Sequence, residues 1–204
     1  MRLFVAIFLL FVAGNESLAG DKDYSRQIQD WVSLYRQVGI KLDPALVSIP
    51  DRTSGFDRLI VIPKGLTFER VLKLLREDFA VDPYFEGLDS YVKRSDRTSI
   101  EGYAVWVRDT VDADQYQGLS YAQVKERGVK AETLLERFIH EFVYFKQTGK
   151  HLDPKSWTLC YGSEGKEDDF PAVYWNSTSK ALKVIWISSP TELDGSMGIR
   201  EVLR

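Results

Sequence analysis

His140-Glu141 sits inside an apolar helical pattern, and a histidine followed by a glutamate on a helix is how a zinc hydrolase motif begins. That motif needs a second histidine one turn on, at position 144, and the chain has Tyr144 there. His140 therefore reads as a helix-surface residue paired with Glu136, four residues before it. His151 follows Gly149 and is placed to cap the helix's last carbonyls. These two histidines and Cys160 are scattered, so no metal site and no cofactor is expected. Cys160 lies in an apolar run and reads as a buried, inert thiol. A Cys–His dyad with His140 or His151 stays open as the alternative.

Other catalytic patterns are incomplete. Gly162-Ser163-Glu164-Gly165 and Gly195-Ser196-Met197-Gly198 lack the residue between glycine and serine that a nucleophile elbow requires. Pro63-Lys64-Gly65 falls short of a phosphate-binding loop. Glu164, Asp168 and Asp169 carry oxygen ligands for a hard cation, but the calcium-loop pattern is missing, and a charged hairpin loop explains them. Lys93, Arg94 and Arg97 form a small basic cluster, read as a solvated loop or an anion-binding one.

Aromatic residues give the positive signal. Tyr161, Tyr174, Trp175 and Trp186 fall on three short strands beside charged loops. Rings on an open sheet face bind a sugar, a peptide or a partner protein, so these four are the candidate ligand-binding residues. The competing expectation is that they pack against helices.

The elements that must hold these residues can be read from periodicity. Thr133 and Glu136 form a capping box, and Leu134, Leu135, Phe138, Ile139, Phe142, Val143 and Phe145 make one wide apolar face, ending at Gly149. Arg137 and Glu141 are a second pair four apart, expected on the solvent side. Asp21–Gly39 reads as a helix. Phe56–Ile62 reads as a central strand covered on both faces, followed by a helix capped by Thr67. Residues 81–102 read as polar loop, and Tyr103–Val107 as a strand. Ser120 and Gln123 form a second capping box before a short helix that stops at Gly128. Trp157–Tyr161, Ala172–Trp175 and Ala181–Ile187 form an antiparallel meander. A last helical turn is expected near Ile199–Leu203. This order predicts an α+β fold, with a mixed or antiparallel sheet, a C-terminal three-stranded meander and helices packed on it.

The chain has 204 residues, a hydrophobic share of 44%, and a net charge of −3. That mild charge gives no reason to expect nucleic acid as a partner. One cysteine excludes an intramolecular disulfide. Arg2, the apolar run Leu3–Ala13 and Ser17-Leu18-Ala19 before Gly20 read as a signal peptide over residues 1–19, with a single domain over 20–204. The run is too short to span a bilayer, which takes ~20 residues, so no stable membrane insertion is expected after cleavage. The expected location is secreted or periplasmic.

Phe56-Asp57-Arg58-Leu59-Ile60-Val61, Ala104-Val105-Trp106-Val107-Arg108-Asp109, Thr133-Leu134-Leu135-Glu136-Arg137, Thr148-Gly149-Lys150-His151-Leu152-Asp153 and Trp157-Thr158-Leu159-Cys160 come in an order that resembles a group of bacterial hypothetical proteins of unknown function. The likeness runs from about Trp31 to the C-terminus and implies a domain, with no chemistry. The expected function is a non-enzymatic exported domain that binds a partner or ligand through an aromatic sheet face. The alternatives are an exported hydrolase using acidic residues with a histidine, and a cytoplasmic regulatory or nucleic-acid-binding protein.

Overall fold

The computed structural model describes residues 13–188 and 194–204, with side chains from residue 25 onward. Most of the expected leader, Met1 to Val12, and the strand-stopping Pro190 lie outside the described residues. The chain divides into two compact units, Met1–Ala45 and Leu46–Arg204. The first holds helix α1 (Ala13–Gln37), which begins earlier than the expected Asp21 and is followed by Gly39 at φ 70°. Trp31 and Tyr35, four apart on it, stack at 5.1 Å. Among the described residues no helix is long and apolar enough to cross a membrane.

The second unit is α+β, as its order of elements predicts. Strand β2 (Arg58–Ile62) pairs antiparallel with β5 (Gly102–Val107), and both are almost wholly buried. β2 is covered on both faces but is not central, because among the described residues β5 is its one partner strand. The far edge of β5 is shared by β1 (Val47–Ser48) and β11 (Val202–Leu203). The final segment is therefore strand and bridge rather than a helical turn: Val202 and Leu203 bond to β5, and Ile199 bridges Gln115.

The meander forms as expected, from β6 (Trp157–Leu159), β8 (Asp169–Asn176) and β9 (Ala181–Ser188), antiparallel in that spatial order. β10 (Met197–Gly198) adds parallel to β6, and β3 (Ala80–Asp82) parallel to β9. The stretch 81–102 is not plain loop. It holds β3, helix α3 (Leu88–Tyr91) and β4 (Val92–Ser95), which pairs with β7 (Ser163–Gly165). The basic cluster is neutralised there. Lys93 and Arg94 pair with Glu164, and Lys93 also with Asp168, while Arg97 is buried against Glu136. Glu164 and Asp168 therefore have cations as partners, while Asp169 accepts from the Tyr91 hydroxyl.

Three helices carry the caps read from sequence. Thr67 Oγ1 accepts from Arg70 N at the start of α2 (Phe68–Arg76), and the Asp89 carboxylate takes the N–H groups of Phe68 and Glu69. Capping boxes open α4 (Tyr121–Glu126) and α5 (Leu134–Thr148), and Gly149 closes α5 at φ 67°. The expected solvent side of α5 is missing. Glu136, Arg137, His140 and Glu141 are each fully buried. His140 is not paired with Glu136. Its Nδ1 meets Glu132 Oε1 at 2.9 Å, while Glu136 is engaged by Arg97 and by the N-cap.

Candidate functional site

The register of the meander sorts its side chains onto two faces. Thr158 opposes Val173, and Leu159 opposes Ala172, so Trp157 one residue on opposes Tyr174. Ala172 opposes Ile185 and Phe170 opposes Ile187. One face therefore carries Trp157, Leu159, Tyr161, Phe170, Ala172, Tyr174, Ile185 and Ile187. The other carries Thr158, Val173, Trp175, Leu182, Val184 and Trp186.

The four candidate residues are thus not one surface. Tyr161 is buried, 2% exposed, in a cluster with Phe170 and Tyr121, and its hydroxyl donates to Leu119 O. Burial pushes its phenol well above the ordinary range. It touches a recess of about 240 Å³ that Arg94, Asp96 and Lys125 also line, so its polar neighbours reach solvent while it does not. Trp175 lies on the opposite face and stacks on His151, with centroids 3.3 Å apart and planes 6° apart. Phe145 flanks the other side of that histidine, and Phe79 meets all three rings edge-on. Trp186, farther along that face, packs on Tyr91 and Phe85.

Tyr174 remains half-buried on the first face. It stacks on Trp157 at 4.3 Å with planes 5° apart. Trp157, Ile185, Ile187 and Met197 are also half-buried there, over the core of Leu159, Ala172 and Phe170. Lys183 and Asp82 form an ion pair at its rim. Trp157 is the member that the sequence reading passed over, because its pairing with Tyr174 depends on the register between β6 and β8.

The buried charges on the far side of the sheet form a closed network. Asp153 accepts from Arg137 at 2.8 Å and from Arg200 at 2.7 Å, and also takes Ala113 N, Ser156 Oγ and Thr158 Oγ1. Glu141 completes the neutralisation, bonding Arg137 at 3.0 Å. Two buried cations thus face two buried anions. Burial works against the ionised Asp153, but Arg200 and Arg137 outweigh it and hold the carboxyl below its usual range. Glu132 lacks such a direct partner. Burial raises it to about 8, so it keeps its proton at neutral pH beside a neutral His140. Cys160 is fully buried among these groups, and burial pushes its thiol well up, which suits the inert role.

His151 is the one histidine that reaches the surface, with 15% of its side chain exposed. Its Nδ1 lies 2.9 Å from Glu141 Oε1. Among the described residues no group of three or more His, Cys, Asp or Glu side chains is arranged to hold a metal ion. No protein-family model, no curated protein and no solved structure matches this chain.

Proposed function

We propose that this protein is an exported, non-enzymatic domain that binds a partner protein through the sheet face built on Trp157 and Tyr174. The carrying observation is their parallel stack, left half-buried beside Ile185, Ile187 and Met197. Aromatic residues and methionine are the types enriched where protein surfaces meet. Branched aliphatic neighbours suit an apolar protein surface better than a hydroxylated ligand.

The buried polar groups support a non-enzymatic reading. Arg137, Arg200, Asp153 and Glu141 spend their charges on one another, as a structural network requires. Export rests on Arg2, Leu3–Ala13 and Ser17-Leu18-Ala19. The intact mass of the protein from each compartment of an expressing bacterium tests it. Loss of residues 1–19 outside the cytoplasm is expected, and a full-length cytoplasmic product would end that part. Binding is tested by Trp157→Ala and Tyr174→Ala, each checked for native circular dichroism. Association with the envelope partner should fall in both. Full association in both would count against this face.

One observation favours a second reading, an exported hydrolase that uses His151. Glu141 on Nδ1 fixes the ring and leaves Nε2 as the outward nitrogen, the arrangement of a carboxylate-oriented general base. Hydrolysis surviving His151→Ala would remove it.

A further inference from the structure

Strand β9 runs eight residues, but its outer neighbour β3 covers Ala181, Leu182 and Lys183 alone. Which backbone groups the remainder leaves open follows from β8. Pro171 O accepts from Cys160 N, and Trp175 N donates to Asp153 O, so the odd-numbered residues of β8 turn their backbone groups away from β9. Pro171 opposes Trp186. That pair is therefore not hydrogen-bonded, and the N–H and C=O of Trp186 point to the open edge, as do those of Ser188 two residues on. Neither residue makes a backbone bond on that side among the described residues.

This edge is also unusual in what it lacks. Val184-Ile185-Trp186-Ile187-Ser188 carries no charge, no proline and no glycine. Natural sheet edges are commonly blunted with lysine, proline or a bulge. Ile185 and Ile187 are half-buried and Ser188 is exposed. Nearby, Tyr84 is 67% exposed and held at φ 67°, with its ring against Phe85, which packs near Trp186.

We infer that β9 pairs antiparallel with β9 of a second copy of this chain, across a two-fold axis at Trp186. In that register the two Trp186 residues exchange N–H···O=C bonds, and Ser188 of each copy opposes Val184 of the other. Ile185 then opposes Ile187 on the face that carries Trp157 and Tyr174, an apolar cross-strand contact made twice by symmetry. No charge opposes a like charge anywhere in the five-residue overlap. The second copy is favoured over an unrelated strand because the segment is complementary to itself. The pairing concerns the edge of the sheet and needs neither Trp157 nor Tyr174, and it shares only Ile185 and Ile187 with the face proposed for a partner.

Sedimentation of the purified chain over a concentration series tests it, with Ser188→Pro as the variant. The Ser188 N–H points away from β8, so proline removes a bond to the second copy and none within the sheet. The wild type should sediment as a dimer of the 23.4 kDa chain. Ser188→Pro should raise the dissociation constant by ~10-fold or more, for loss of two symmetric bonds. Ile187→Lys, which puts a charge on the half-buried edge, should do the same with an unchanged circular dichroism spectrum. A wild type that stays monomeric at every concentration overturns the inference. So does a dimer that both variants leave intact.

Discussion

His140 Nδ1 and Glu132 Oε1 lie 2.9 Å apart in the core, and the outer atoms of the pair, His140 Nε2 and Glu132 Oε2, are buried without a polar partner among the described residues. The pair shares one proton. Burial raises Glu132 to about 8 from its usual 4.5, and burial with Arg200 and Arg137 lowers His140 well below its usual 6.5. Between pH 4.5 and 6.5 the unfolded chain holds one proton on the histidine and the folded chain one on the glutamate. Stability from this pair is therefore level in that window. Above pH 6.5 the unfolded histidine gives up its proton while folded Glu132 keeps one until about pH 8. Stability then falls as pH rises, by about 2 kcal/mol across that 1.5-unit interval at 1.36 kcal/mol per unit. Below pH 4.5 the unfolded glutamate takes a second proton that the folded pair refuses, and stability falls again. Glu132→Gln should abolish the loss between pH 6.5 and 8. Urea midpoints at pH 6 and 8 for both proteins measure it. An equal drop in the variant would assign the effect elsewhere.

Asp153 is the anion on which both buried arginines converge. Asp153→Asn keeps the shape and removes the charge, leaving Arg137 and Arg200 with Glu141 as their near counter-ion. Removing one partner of a buried pair costs ~3–5 kcal/mol. The urea midpoint should fall accordingly, while Asp168→Asn on the exposed loop should leave it close to the wild-type value. Similar losses in both would contradict the weight placed on burial.

Gly165 is tight for a different reason. A Cβ there would lie 2.1 Å from Asp169 Oδ1, 2.6 Å from Tyr91 and 2.9 Å from Trp186. Asp169 also accepts from the Tyr91 hydroxyl, so those neighbours cannot move independently. Gly165→Ala should cost ~1–3 kcal/mol by overpacking. A Cβ at Gly195 would meet nothing within 4 Å among the described residues, and Gly195→Ala should be near neutral. Thermal melts of the two variants compare them directly.

The sequence exposed local structure well and long-range pairing poorly. Capping boxes at Thr133 and Ser120, the glycine stop at Gly149 and the meander follow from neighbours within a few residues, and all are present. β4 was hidden because Val92–Ser95 is polar and its partner β7 lies about seventy residues on. The charged side of α5 was misplaced for a related reason. A helix bearing Glu136, Arg137, His140 and Glu141 reads as solvent-facing unless Arg97, Glu132, Asp153 and Arg200 are known to converge on it. Alternation along β8 places Tyr174 and Trp175 on opposite faces, a local signal that the reading of four rings on one face did not use. Pairing Tyr174 with Trp157 required the register between β6 and β8, which no local pattern specifies.

Site-specific photo-crosslinking tests the central claim most directly. A benzoylphenylalanine at position 174 replaces one aromatic ring by another on the proposed face, and the same residue at Lys73 on α2 serves as the control. The account predicts that illumination of expressing cells joins position 174, and position 157 in a separate experiment, to the same envelope protein, while position 73 gives no such product. Absence of any product at 174 and 157, or one common to all three positions, would contradict it.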